Sequence, residues 1–154
     1  DLALALVGTD PASLGGRRLL ARYPGLRLVP PIPFAEVPRY VEAADVIAIP
    51  QRDSPDTRGQ VPAKLFDAMA MARPIVSTRV SMIPEILEGC GLVVPPSDPA
   101  ALGAAIARLA DDRALAVELG ARARARCVAR YSFTAARRDL FPLVTGLVER
   151  LTPR

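Results

Sequence analysis

A chain of 154 residues is one domain's worth of sequence, long enough to bury roughly 68–70% of its unfolded surface. Apolar residues make up 51%, yet only 5% are aromatic and tryptophan is absent. The core must therefore be leucine, valine, isoleucine and alanine, as in a sheet covered by helices, and rings for stacking single-stranded nucleic acid are lacking. With no histidine in the chain, imidazole catalysis and imidazole-based metal sites are excluded.

In chain order, Leu2 to Gly8 is a continuous apolar run that predicts a strand buried on both faces, then a turn. Thr9-Asp10-Pro11 reads as a helix start, with Leu14, Leu19 and Leu20 on the apolar side before Pro24-Gly25 ends the helix. Leu26 to Val29 is a second strand. Pro30 to Pro33 forces an extended loop, and Phe34 to Ala44 is a helix with Val37, Tyr40 and Val41 inward. Asp45 to Pro50 is a third strand, followed by a polar loop, residues 51–60. After Thr78 come a short helix around Pro84 to Leu87 and the strand Gly91 to Val94. Ser97 or Asp98 caps a helix from Pro99 to Ala110. Helices from Ala114 to about Arg130 and from Thr134 to about Leu151 complete the chain.

Strand and helix alternate without repeats, which defines an α/β fold: a doubly wound parallel sheet, Rossmann-like, flanked by helices and ending in C-terminal helices. The net charge of +4 comes from scattered arginines. Their local cluster at Arg122, Arg124, Arg126 and Arg130 reads as a solvated helix face rather than a nucleic-acid or lipid patch. Cys90 and Cys127 lack metal-ligand spacing and read as free thiols of a reducing compartment. No apolar run reaches spanning length.

The stretch from Gly59 to Thr78 carries the chemistry. Pro62 suits the first turn of a helix, which is predicted to start near Val61 and to stop before Pro74. Pro74 to Thr78 is then a buried strand. A helix amino end presents free N–H groups and the positive end of the macrodipole, which together bind phosphate. Lys64, the only lysine among 20 basic residues, lies in that first turn, with Asp67 three positions on. The plain alternative is a solvated Lys64–Asp67 ion pair worth about 0.2–0.5 kcal/mol.

Taken together, the ordered pieces resemble the C-terminal domain of the family 4 retaining glycosyltransferases, which have the GT-B fold. The similarity runs from about Leu4 to Val144. It rests on Leu6-Val7-Gly8, Ile32-Pro33 through Tyr40, Asp45 to Pro50, Asp67-Ala68-Met69-Ala70 with Pro74 to Thr78, Ile83-Pro84-Glu85-Ile86, Gly91 to Pro95, and Arg130-Tyr131-Ser132-Phe133. The resemblance implies the donor-binding half of an enzyme that moves a sugar from a nucleoside diphosphate sugar to a glycan or lipid-linked acceptor. The implied nucleotide-sugar site comprises Gly8, Pro31, Ile32, Gly59, Gln60, Val61, Pro62, Ala63, Lys64 and Asp67. It implies no metal and no cofactor beyond the donor, and leaves the catalytic residue open.

The sequence departs from the family pattern in several places: the glycine expected near Pro62 is replaced, and Lys64 fills a position more often apolar. Of the two acidic residues in the donor signature, the second is Asp67 and the first falls on Gly59, with Asp53 or Asp56 as substitutes. The expected Gly-Gly before Ile83 is Ser81-Met82. The family's opening strand-helix unit and its N-terminal acceptor domain have no counterpart, so residues 1–154 are expected to be a single nucleotide-sugar-binding domain, a truncated fragment inactive alone. With the usual 3-2-1-4-5-6 order, the strands at Leu2 and Asp45 would pair directly or recruit another chain, giving a homo-oligomer or a strained sheet. Expected partners are the nucleotide-sugar and the missing N-terminal domain, with no nucleic acid. The expected location is the cytoplasm or, peripherally, the inner face of a membrane. The alternative function is a non-catalytic, degenerate glycosyltransferase-like binding module.

Overall fold

The computed structural model describes residues 2–151, apart from the side chain at position 149. Its contacts divide the chain into two units that meet after Tyr40.

Within the first unit, β1 (Ala5–Val7) pairs in parallel with β2 (Arg27–Val29), Leu6 opposite Leu28. The helix between them, α1 (Leu14–Arg22), begins later than the sequence suggests, because Asp10 first forms a local turn. Its carboxylate accepts from Ala12 N at 2.8 Å, and Ser13 then caps the helix by accepting from Gly16 N at 2.9 Å. Gly16 is obligatory there: a Cβ would lie 2.1 Å from the Asp10 carbonyl oxygen. The expectation of a strand buried on both faces is corrected, since all three β1 residues are exposed. β1 has one ladder partner among the described residues, and packing, which sequence hydrophobicity cannot supply, decides burial.

The predicted helix at Phe34 is a 3-10 turn, Phe34–Glu36, running into α2 (Val37–Ala43). Val37 and Val41 are half-buried, but Tyr40 is exposed rather than inward.

The second unit is built on a three-stranded parallel sheet in the order β3-β4-β5: β3 (Ile47–Ile49), β4 (Ile75–Thr78) and β5 (Leu92–Val94). Every residue of β4 is buried. Its side chains alternate between two cores, as a strand's two-residue period requires. Ile75 packs with Leu65, Met69, Ile83 and Leu87 from α3 (Ala63–Ala70) and α4 (Ile83–Leu87). Val76 packs with Leu109 and Leu119 from α5 (Pro99–Asp111) and α6 (Arg113–Arg126). The sheet is thus covered on both sides, the doubly wound arrangement. Among the described residues the ladder partner of β1 is β2 and that of β3 is β4.

Asp98 and Asp112 cap α5 and α6 through Ala101 N and Leu115 N, both at 2.9 Å. The helix predicted to run to Arg130 instead stops at Arg126 and continues as one π-helical turn, Cys127–Tyr131. The wider turn packs against α3, with the Tyr131 ring 5.0 Å from that of Phe66. Ser132 then accepts from Ala135 N at 3.1 Å to start α7 (Phe133–Leu151). Cys90 and Cys127 are free and buried, and burial pushes both thiols up. No described helix is long and apolar enough to cross a membrane.

Candidate functional site

The carboxyl ends of β3 and β4 are joined by side chains as well as by the ladder. Ser77 Oγ donates to Ile49 O at 2.8 Å. Thr78 Oγ1 donates to Gln51 O at 2.7 Å and accepts from Gln51 N at 2.9 Å. This fixes the point where the 51–60 loop leaves the sheet.

Within the loop, Thr57 Oγ1 accepts from Ser54 N at 3.0 Å, and Gln60 donates its amide to the Asp56 carbonyl. Arg58 grips Asp53 through two bonds, 2.7 and 3.1 Å long. That guanidinium holds the Asp53 carboxyl below the usual carboxylate range. Both side chains are well exposed, 68% for Arg58 and 44% for Asp53, so the clasp is weak. Asp53, considered from sequence as a substitute carboxylate, is therefore already engaged.

Gly59 has φ +85° with nothing within 4 Å of a built Cβ. Space for a side chain exists, but the left-handed backbone favours glycine over glutamate. The site's missing acidic residue thus follows from the path of the loop.

Three details of α3 correct the sequence reading. The helix starts at Ala63, not Val61, and Pro62 is its N-cap, with helical φ (−65°) but extended ψ (131°). Leu65 N is taken up by Pro62 O at 2.9 Å, leaving Ala63 and Lys64 to present N–H groups outward. The Val61 side chain packs on the core, so only its backbone can face a ligand.

No side chain caps this end or that of the short α4, whereas α1, α5, α6 and α7 are capped by serine or aspartate. Lys64 is exposed and Asp67 half-buried. Among the described residues the ion pairs are Arg58–Asp53, Arg122–Glu118 and Arg138–Asp139. The Lys64–Asp67 pair is not formed.

The structure brings Gly59 through Asp67 together at one sheet edge. Gly8, Pro31 and Ile32 belong to the other unit. Gly8, at φ +97°, donates to Val29 O at 2.9 Å as the chain turns out of β1. Pro31 is exposed and Ile32 half-buried in the segment after β2. Sequence reading missed two polar atoms at the same edge as Gly59, Gln51 Oε1 and Ser81 Oγ, both buried without a hydrogen-bond partner. The only sequence signal for them was a serine where glycine was expected. No described group of three or more Cys, Asp or Glu residues could hold a metal ion.

The second unit is thus a doubly covered parallel α/β domain in which α3 starts, uncapped and with a lysine in its first turn, after the loop that leaves β3. The chain belongs to the family described as Glycosyl transferases group 1, whose profile matches residues 1–112. It is 32% identical over 118 residues to the amylovoran biosynthesis glycosyltransferase AmsK of Erwinia amylovora, covering 75% of this chain and 29% of that protein. Among solved structures, sucrose-phosphate synthase of Thermosynechococcus elongatus superposes with a TM-score of 0.80 and 29% identity, covering 96% of this chain and 39% of that one. Anabaena HepE, solved with UDP-glucose, gives a TM-score of 0.75 at 16% identity, over 92% of this chain and 40% of that one. The fold is that of GT-B glycosyltransferases, as the sequence motifs implied. The chain spans under half the length of each of these relatives.

Proposed function

We propose that this chain is the donor-binding half of a glycosyltransferase that takes a sugar from a nucleoside diphosphate sugar and passes it, with retention, to a glycan or lipid-linked acceptor. The observation that carries this is Lys64: an unpaired ammonium on the first turn of an uncapped helix. As the glycosidic bond breaks, negative charge grows on the diphosphate. The N–H groups of Ala63 and Lys64 and the Lys64 ammonium meet it without rearrangement.

Asp67 accepts from the ribose hydroxyls. Gln60 and the backbone of Val61 and Pro62 complete the rim, with Gly59 letting the donor approach the backbone. The charge is met by the protein itself, so no metal or cofactor besides the donor is invoked. On this reading the chain works in the cytoplasm, beside an acceptor-binding domain, with HepE's UDP-glucose making UDP the first candidate nucleotide.

A second reading, a binding module without catalysis, is favoured by Gly59, whose backbone disfavours the expected carboxylate. Titration with UDP, GDP and ADP by calorimetry, with amide shifts followed, tests both. Saturable binding of one nucleotide that shifts Val61 to Asp67, and survives EDTA, is the expected result. A well-dispersed spectrum with no binding to any would overturn the donor site. Sugar transfer by the intact enzyme, lost on changing Lys64, separates a transferase from a binder.

A further inference from the structure

Gln51 and Ser81 stand just beyond neighbouring strands. Gln51 is two residues past the end of β3, with its backbone held on Thr78 Oγ1. Ser81 is three residues past the end of β4. Each encloses one polar side-chain atom, Gln51 Oε1 and Ser81 Oγ, that has no partner. Burying such an atom unpaired is destabilising, and native proteins keep few of them.

Ser81 is disfavoured a second way. Its φ is +53°, a conformation that glycine adopts freely and serine does not. Glycine would remove both the strain and the orphan hydroxyl. Serine at this position and the orphan amide oxygen past the adjoining strand leave two polar atoms for which a ligand's hydroxyls are suitable partners.

We infer that Gln51 and Ser81 form a hydroxyl-recognition subsite that selects the sugar of the donor, an inference that rests on the donor-site reading above. The diphosphate is met by charge at α3, whereas the hexose offers only neutral hydroxyls. Gln51 Oε1 accepts from one, and Ser81 Oγ both donates and accepts. Both atoms are enclosed in the observed conformation, so a bound hexose has to open the cover over them.

The test uses Ser81→Gly and Gln51→Met, with the nucleoside diphosphate that binds and its hexose conjugate: UDP with UDP-glucose, GDP with GDP-mannose, or ADP with ADP-glucose. Both variants should melt at or above the wild-type temperature and bind the bare diphosphate as wild type does. Their affinity for the hexose conjugate, relative to the diphosphate, should fall about 5- to 10-fold. An unchanged ratio in both would assign the two atoms to structural water and overturn the subsite while leaving the donor site standing. Loss of the bare diphosphate as well would place the residues in general loop support and equally overturn it. No nucleotide binding by the wild-type protein would remove the donor reading and the subsite with it.

Discussion

Lys64→Ala removes an ammonium group that supports nothing else in the fold, since the side chain is exposed and joins no ion pair. It should weaken nucleoside diphosphate binding by about 1–3 kcal/mol, the worth of a charge-assisted hydrogen bond, with no change in melting temperature. Calorimetry decides it, and equal affinity in the variant would end the role given to Lys64. The lysine and its position were legible in the sequence, but its freedom was not. Helical side chains lean toward the amino end, and a cation placed before an anion is the weaker order along a helix, which fits the missing Lys64–Asp67 pair. Gly59 shows the converse. The missing acid was visible, but its cause, a backbone at φ +85°, is conformational and has no signature beyond the glycine itself.

Helix α6 shows what periodicity alone misses. Its buried face, Ala116, Leu119, Gly120 and Ala123, is mostly small, so the helix lies close against the turn after α3. A Cβ on Gly120 would sit 2.2 Å from the Ala72 carbonyl oxygen, with backbone rather than a yielding side chain in the way. Gly120→Ala should therefore destabilise the protein by about 1–3 kcal/mol, outweighing a helix-propensity gain of at most ~1 kcal/mol. A denaturant midpoint at or above wild type would contradict this packing. Arg122, Arg124 and Arg130 are exposed, as a solvated face requires, yet most of the cluster also reaches backbone carbonyls. Arg124 donates to Ala70 O, Arg126 to Ile86 O at 3.0 Å and Arg122 to Gly89 O at 3.4 Å, while Arg130 stays exposed. Three of the four thus satisfy carbonyls at the ends of α3 and α4. Those acceptors lie 33 to 54 residues away in sequence, beyond any local pattern.

Across the whole molecule, the alternation of strands and helices was legible because buried parallel strands are continuous apolar runs. Burial at β1 was not, because it depends on neighbours rather than composition. Leu4, Leu6 and Val7 remain exposed there, and Leu140, Leu143, Val144 and Leu147 form an exposed row on α7. Apolar surface of this kind drives association. Light scattering should show a mass that rises above 16.4 kDa with concentration, and a constant monomer mass would remove the expected oligomer. Helix α3 is held at its far end by Arg124 on Ala70 O and Gly120 against Ala72, and near its middle by Tyr131 on Phe66, while no side chain caps its near end. These contacts that hold the helix all come from behind it, in α6 and the turns that flank it, and none comes from the 51–60 loop. That loop can therefore change in sequence while the support of the helix stays as it is.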